Sequence, residues 1–419
     1  MRRLLVGCLL LMSLLPIGAK AENKPQELEK TPIKIQFWEQ DPPEVGQELD
    51  KWIKVYTSDK PWLTIARQQF ENEELRTRFL RSSLTGEGAD LVYGPSDLVG
   101  VFATAQVIQP LDDFIKTDPY DPQLIRLMQY KGKLWGAPIS SGSHLVLYYN
   151  RKLVENAPAS FEEIIGVGQK FMQNKPSGHY GLAYYQSEPF WFVPFMGAFG
   201  AWPLQVKNDQ VEVTIDLIGT QKALQFVRSL QDEFKIIPTS CDFECAKSMF
   251  FAEQAPYHIN GDWEISSMLE QFGDNLGVAP LPFIAEAKQH MTPMVGGRFF
   301  FLNAQLSGEK RDAVLDFVRF TASLPIQTRL ATRLNKIPAT MEAREHKLVK
   351  SEPWVQALLE ATRHGKDFPN HVEMRAAWDG MRIMIQRGLS GRESPEQAVK
   401  TGQKAAEEAL KALRKSPKP

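Results

Sequence analysis

Cysteine is scarce in this chain: its 419 residues contain three, Cys8, Cys241 and Cys245. A structural zinc site needs four ligands, and neither a nearby histidine nor a second cysteine pair accompanies Cys241 and Cys245 at metal-binding spacing. In an oxidising compartment these two residues, four positions apart, can close a small disulfide. Spacing alone does not fix the geometry of a bridge, so the sequence leaves this disulfide open.

Neither sign of charge is in excess. Lysine and arginine number 49 against 50 aspartates and glutamates, a formal net charge of -1, and no long block of one sign occurs. A nucleic-acid-binding or polybasic membrane-binding protein would show such a block. The balance favours a soluble protein whose ligand is uncharged or of mixed character.

Long apolar runs are confined to the amino terminus. Two arginines precede an apolar segment, residues 4–17, and a small-x-small cleavage site follows at 19–21. This pattern is typical of a signal peptide, so residues 1–21 are excluded from the fold and the mature chain is expected to start near Glu22. No later run reaches the roughly 18–20 apolar residues of a membrane span. The sequence thus predicts an exported, soluble protein, periplasmic or otherwise extracytoplasmic.

A lipid anchor is the alternative interpretation of the same segment. Cys8 follows Leu5-Val6-Gly7, as in a lipoprotein cleavage site, but few apolar positions precede it and a full apolar core follows it. The signal-peptide interpretation is favoured, and lipidation of Cys8 is not expected.

Signatures of catalysis are missing as well. The chain has no nucleophile elbow, no HExxH and no cluster at metal-ligand spacing. An exported glycoside-acting enzyme would need two carboxylates facing each other across the scissile bond, and Asp97 and Asp262 could take those parts. We expect neither an enzyme nor a cofactor, and keep the glycosidase as the alternative from another functional class.

The chain does contain a series of strand-helix units. Predicted strands at 33–38, 63–66 and 89–93 alternate with helical stripes at 49–56 and 75–83. This βαβ order predicts an α/β fold with a parallel sheet. Because a chain of 419 residues is too long for a single core, two lobes are expected.

The segment 134–150 stands between these units and the rest of the chain. It begins with Gly136 and Pro138, continues through a short polar patch at 140–144, and ends in a β-branched and aromatic run. This pattern predicts one extended strand with a flexible middle. We interpret it as the first crossing between two lobes, with the ligand bound where the chain crosses.

The order of several motifs resembles the extracellular solute-binding proteins of ABC importers, in the family-1 branch that includes maltose-binding protein. The resemblance extends over essentially the whole mature chain. It rests on the block 89–93 with Asp97, 132–139 followed by 147–150, 188–190, 259–263, Pro369-Asn370 with Met374 and Trp378, and Ser390-Gly391-Arg392.

This resemblance implies a two-lobed α/β fold, each lobe a mostly parallel sheet flanked by helices, with the ligand cleft between the lobes. The amino-terminal lobe would comprise 22–139 and 297–337, and the other lobe 140–296 and 338–413, with a disordered tail at 414–419. The implied function is capture of a sugar, a di- or oligosaccharide, by cleft closure. The implied partners are the membrane permease subunits of the importer, and a monomer that binds no nucleic acid is expected.

A sugar offers an apolar ring face and a rim of hydroxyl groups, so its site needs flat aromatics together with carboxylates or amides. By resemblance Phe190, Trp263 and Trp378 match aromatic platforms, and Asp97 and the loop 39–41 match polar positions. For the aromatics the alternative is core packing, and for Arg298 it is a structural ion pair. The expected ligand-binding residues are Trp38, Glu39, Asp41, Asp97, Ser143, Phe190, Trp191, Asp262, Trp263, Gly297, Arg298 and Trp378.

Several departures from the family pattern argue against maltose itself. Gly94 and Leu98 stand where the family has an aromatic and a basic residue, and Gly142 or Ser143 stands where it has an acid. A related di- or oligosaccharide is therefore the better expectation, with a non-sugar solute as an alternative. Adjacent tyrosines at 148–149 resemble an iron site, but in an alternating strand one of them must point into the core.

Overall fold

The computed structural model describes residues 31–207 and 210–415. The expected signal peptide at 1–21, the expected mature start at Glu22 and Cys8 lie outside the described residues, as does the expected tail beyond Lys415. The last helix continues through Lys415, so residues 414 and 415 are helical, although the sequence predicts a disordered tail from 414.

Two larger sheets and several two-stranded pairs make up the β structure. The strands are β1 (Ile33–Glu39), β2 (Leu63–Gln69), β3 (Leu91–Pro95), β4 (Gln129–Tyr130), β5 (Lys133–Leu134), β6 (Ala137–Gly142), β7 (Leu145–Asn150), β8 (Leu182–Tyr184), β9 (Leu204–Lys207), β10 (Gln210–Val213), β11 (Tyr257–Gly261), β12 (Leu276–Ala279), β13 (Phe283–Ile284), β14 (Gln289–His290), β15 (Met294–Leu302), β16 (Ile337–Pro338) and β17 (Lys366–Asp367).

Helices cover the sheets and form most of the carboxy-terminal part. They are α1 (Pro43–Thr57), α2 (Asn72–Leu84), α3 (Leu98–Thr104), α4 (Pro122–Met128), α5 (Phe161–Met172), α6 (Pro189–Ala198), α7 (Ile218–Asp232), α8 (Phe243–Phe251), α9 (Ile265–Phe272), α10 (Gly308–Thr321), α11 (Leu324–Leu334), α12 (Met341–Glu345), α13 (Lys347–Lys350), α14 (Pro353–Ala361), α15 (Met374–Leu389) and α16 (Pro395–Lys415). Short 3-10 turns occur at Asp262–Glu264, Gly273–Asn275 and Thr362–His364.

The first sheet has the strand order β16-β6-β15-β3-β1-β2, with β17 paired to β15. Strand β1 is parallel to both β2 and β3, which confirms the βαβ pattern predicted from the sequence. Strand β15 is antiparallel to β3 and β6, so the completed sheet is mixed.

The second sheet has the order β12-β7-β11-β8. Only β11 and β8 are parallel, whereas β7 is antiparallel to both β11 and β12. The expectation of a mostly parallel sheet in each lobe is wrong here. Strand β7 enters this sheet from β6 of the first sheet, with two residues between them, and its first residue, Leu145, pairs with Gly261 at the end of β11. The two strands therefore run in opposite directions.

Separate hydrophobic cores surround the two sheets. The first packs helices such as α1 and α10 onto the first sheet through Leu49, Trp52 and Phe317. The second packs α5, α6 and α7 onto the second sheet, and α15 adds Met381 to it. In α1, α5 and α7 apolar stripes at helical spacing place the buried residues on one side of the helix, whereas α6 is buried on all sides. These features give an α/β fold with two lobes.

The segment 134–150 is not one strand. Strands β6 and β7 belong to different sheets, and the chain turns between them at Gly142 and Ser143, whose φ angles are 124° and 50°. A Cβ on Gly142 would lie 2.1 Å from Oδ2 of Asp262. Glycine is therefore required at this turn for both its conformation and the space it leaves.

Candidate ligand-binding site

A cavity of about 860 Å³ opens between the two sheets. Its walls are formed by the loops that follow β1, β2 and β3, the start of α6, the start of α8 and one face of α15. In open α/β sheets ligands bind beyond the carboxyl ends of the strands, and the first three loops lie at such ends. A smaller cavity of about 450 Å³ lies elsewhere, beside Gly197 and Lys366.

Most of the residues expected from the sequence come together on the wall of the larger cavity. Phe190, Trp191, Trp263 and Trp378 contribute aromatic rings, and Asp41, Asp97, Ser143 and Arg298 contribute polar groups. Their positions in the chain range from 41 to 378, so the fold gathers them from both sheets and from the carboxy-terminal helices.

The aromatic residues form a continuous row. From one end, ring centroids are 6.3 Å apart between Trp378 and Phe368, 6.0 Å between Phe368 and Phe190, and 6.0 Å between Phe190 and Trp263. The row continues 6.1 Å from Trp263 to Trp191 and 6.2 Å from Trp191 to Phe243. We call these six residues the aromatic row. Trp191 is the most buried of them, and its indole N–H donates to the carbonyl of Ile259 at 3.0 Å.

The opposite wall is polar and carries charges of both signs. Arg298 is 2.9 Å from Oδ1 of Asp41, and their side chains are 14% and 0% exposed. Burial raises the pKa of Asp97, while Arg76 and Arg298 counteract part of that rise. Arg298 therefore forms an ion pair with Asp41, the structural alternative that the sequence left open. Arg298 also lines the cavity.

Four of the expected residues, Trp38, Glu39, Asp262 and Gly297, are not among those that line the cavity, so their contact with a ligand stays a prediction. Trp38 packs into the first core, 4.9 Å from Phe70 between ring centroids. Glu39 is fully buried, forms an ion pair with Arg67 at 2.5 Å and accepts a hydrogen bond from the N–H of Asp41 at 2.7 Å. Burial is the main cause of its raised pKa.

The other two of these residues support the crossing between the sheets. Asp262 is 3% exposed and accepts the N–H of Ser143 at 3.0 Å. A Cβ on Gly297 would lie 2.6 Å from Leu124 and 2.7 Å from the carbonyl oxygen of Ser140. Asp97 lines the cavity, whereas Asp262 does not, and its carboxylate accepts the N–H of Ser143 instead. The carboxylate pair that could serve a glycosidase is therefore not brought together on the cavity wall.

Several lining residues were not expected from the sequence. Arg375, Asp379 and Arg382 share the cavity face of α15 with Trp378, and their spacing of three and four residues is the signal that could have found them. Glu188 also lines the cavity; burial raises its pKa, and Arg382, 3.5 Å away, lowers it.

Gln40, within the expected loop 39–41, also lines the cavity. The remaining unexpected lining residues are Pro42, Pro43, Gln69, Glu71, Glu73, Arg76, Pro95, Ser96, Phe243 and Phe368. Phe243 lies between Cys241 and Cys245, which are disulfide-bonded with a Cα–Cα distance of 5.4 Å.

Within residues 31–207 and 210–415, no group of three or more metal-ligating side chains occurs, and no helix has the length and apolar character needed to cross a membrane.

Two known proteins are similar to this chain in sequence over most of its length. A chain described as the maltotriose-binding protein of Pyrococcus abyssi is 25% identical over 368 residues, 87% of this chain and 79% of the relative. A maltooligosaccharide ABC transporter solute-binding lipoprotein of Streptococcus pneumoniae is 23% identical over 335 residues, 78% of each chain.

Solved structures give the same result. The maltose/maltodextrin-binding domain MalE from Bdellovibrio bacteriovorus, bound to maltotriose, has a TM-score of 0.82 and 32% identity over 90% of this chain and 100% of that one. The GacH receptor of Streptomyces glaucescens has a TM-score of 0.81 at 22% identity, over 91% of this chain and 99% of that one. This second match shows similarity of fold alone. The model of the family described as bacterial extracellular solute-binding protein matches residues 51–357. This chain belongs to the bacterial extracellular solute-binding proteins.

Proposed function

We propose that this protein is the substrate-binding component of an ABC importer that captures a maltooligosaccharide in the cavity and delivers it to membrane permease subunits. The observation that carries the proposal is the aromatic row facing a wall of carboxylates and guanidinium groups across one cavity. The relatives named above bind maltotriose or maltooligosaccharides by their descriptions, and the Bdellovibrio domain holds maltotriose in its structure.

The two walls suit the two chemical faces of a glucose unit. Half-buried rings such as Phe190, Trp263 and Trp378 offer flat apolar surface to the sugar ring. On the polar wall the carboxylate of Asp97 accepts hydrogen bonds from hydroxyl groups, and charge-assisted bonds of this kind are stronger than neutral ones. Glu188, at the start of α6, offers a further carboxylate beside the aromatic row. A ligand recognised in this way is neutral and rich in hydroxyl groups.

Capture would proceed by closure of the lobes. The lobe boundaries expected from the sequence place Asp41, Asp97 and Arg298 of the polar wall on one lobe and all six residues of the aromatic row on the other. A saccharide that touches both walls binds the closed form more tightly than the open form, and this difference in affinity shifts the population. The crossing at Gly142 and Ser143 would bend during closure.

Binding is tested by isothermal titration and thermal shift with maltose, maltotriose and maltotetraose, with sucrose and free amino acids for comparison. A maltooligosaccharide at 100 times its dissociation constant should add about 2.7 kcal/mol to the free energy of unfolding. Trp378→Ala should weaken binding without unfolding the protein. Trp354 lies on α14 and outside the cavity lining, so Trp354→Ala should bind the saccharide as tightly as the wild type. Stabilisation by a non-sugar solute alone would overturn the carbohydrate assignment.

The proposal includes no chemistry on the ligand. Incubation with maltotetraose followed by chromatography should return the intact saccharide, and accumulation of shorter products would favour the glycosidase alternative. Export is tested by expressing the full chain and determining the amino terminus of the secreted protein. A terminus near Glu22 is expected, while a membrane-held form with lipid on Cys8 would contradict this part of the proposal.

A further inference from the structure

The disulfide between Cys241 and Cys245 closes a small loop whose middle residue, Phe243, lines the cavity. Phe243 is also the first residue of α8. It forms one end of the aromatic row, edge to face with Trp191 at a centroid distance of 6.2 Å. A covalent link therefore brackets a residue of the candidate site.

The loop is attached to the rest of the lobe on the disulfide side. Cys241 is 3% exposed, and its carbonyl accepts the N–H of Gln186 at 3.2 Å. The sulfur of Met249 lies 3.7 Å from the sulfur of Cys241 and 3.8 Å from that of Cys245. Both bridge residues thus rest against the next turns of α8.

The side of the loop that faces the cavity has fewer constraints. Asp242 caps α8 by accepting the N–H of Cys245 at 2.9 Å, but both Asp242 and Glu244 are exposed. Phe243 itself is only half-buried. Its ring contacts Trp191, and the bridge constrains the backbone that carries it because it joins residues 241 and 245 on either side.

We propose that the Cys241–Cys245 disulfide is a positioning element for ligand recognition, which holds Phe243 in the aromatic row so that its ring can contact the bound saccharide. The inference rests on the proposed function. It assigns the bridge a role in affinity, through Phe243, in addition to any contribution to stability.

The test is a double-mutant cycle with maltotriose as the probe. Isothermal titration compares four mature proteins: the wild type, Phe243→Ala, Cys241→Ala with Cys245→Ala, and the triple variant. Loss of an aromatic contact should weaken maltotriose binding by about two- to tenfold. Opening the bridge should weaken binding by a similar factor, and the triple variant should bind no more weakly than Phe243→Ala alone, because the bridge acts through the ring.

Two results would overturn this inference while leaving the proposed function intact. One is normal affinity after the bridge is opened. The other is a bridge effect that is equally large with and without Phe243, which would mean that the disulfide acts through the general structure of the lobe. If no saccharide binds to the wild type, the proposed function fails and this inference fails with it.

Two further measurements make the test independent of how well the cysteine variant folds. The wild type reduced under native conditions, with its free thiols counted, should show the same loss of affinity. Trp191 is next to Phe243, so tryptophan emission should change on reduction of the wild type and much less on reduction of Phe243→Ala.

Phe251→Ala is the matched control. Phe251 lies at the far end of the same helix and outside the cavity lining, so this variant should retain the affinity for maltotriose.

Discussion

The carboxylate of Asp262 accepts a hydrogen bond from the backbone N–H of Ser143 at 3.0 Å, although 119 positions separate the two residues. Ser143 has a φ of 50°, a conformation that a non-glycine residue adopts only when its surroundings hold it. The same Asp262 donates its own N–H to the carbonyl of His144 at 3.0 Å. One residue, directly after β11 of the second sheet, thus holds both sides of the turn that joins β6 to β7.

Removing this carboxylate should destabilise the protein. In Asp262→Ala the partly buried N–H of Ser143 loses its charged acceptor, which costs about 1–3 kcal/mol. Asp262→Asn keeps an acceptor oxygen and should lose less. Urea unfolding monitored by tryptophan fluorescence measures both, and an alanine variant as stable as the wild type would show that the bond has no net value.

Gly142→Ala should be more damaging than an alanine at another glycine with positive φ. Gly178 has a φ of 94° with open space around its Cβ position, whereas a Cβ on Gly142 would lie 2.1 Å from Asp262. Backbone strain alone costs about 1–3 kcal/mol and is common to both variants. The difference between their unfolding free energies reports the clash, and equal values would contradict the described turn.

Stability should fall as the pH is lowered from about 6.5 to about 4, in part because of His258. Burial lowers the pKa of His258 from 6.5 to about 4, so in this range the unfolded chain binds a proton that the folded chain does not. The unfolding free energy then falls by up to about 1.4 kcal/mol per pH unit for this group. His144, whose pKa is also lowered by burial, acts in the same direction.

Comparison of the wild type with His258→Asn isolates the effect of this residue. The asparagine amide can donate to the carbonyl of Ala183, which contacts Nδ1 of His258 at 2.9 Å. The variant should lose part of the pH dependence measured by urea unfolding between pH 4 and pH 7. Identical slopes for the two proteins would contradict a neutral buried His258.

Arg298→Leu should be strongly destabilising because it leaves the carboxylate of Asp41 buried beside Tyr93 without its cationic partner. Breaking a buried ion pair in this way costs about 3–5 kcal/mol. Replacing both residues, in Asp41→Leu with Arg298→Leu, should recover much of that loss. If the double variant is as unstable as the sum of the two single ones, the two side chains do not stabilise each other.

The sequence was sufficient for the elements that depend on local pattern. Stripes such as Leu49, Trp52 and Tyr56 predict helix α1, and the alternation in 33–38 predicts β1. The direction of each strand is harder to predict from the sequence. Strand β7 is antiparallel to its neighbours because it enters the second sheet from β6, which belongs to the first sheet. That is a long-range property with no local signal.

Neighbouring residues at the candidate site illustrate a second limit. The sequence predicts that the adjacent Asp262 and Trp263 both bind ligand, but at the 3-10 turn Asp262–Glu264 the carboxylate bonds to the crossing and the ring lines the cavity. Phe243 gave no signal of its own in the sequence. Its place in the row depends on α8 lying next to Trp191, which only the packed lobe reveals.

The pairing of the crossing strands has a consequence for motion. Gly296 and Gly297 of β15 pair with Gly142 and Ser141 of β6, and Ile337 of β16 pairs with Ser141 from the other side. Three passages of the chain therefore run side by side in one hydrogen-bonded ribbon where the sheets meet. A rotation of one lobe must twist this ribbon as a unit, so the backbone ladder allows closure about one main axis and resists sliding of the lobes past each other.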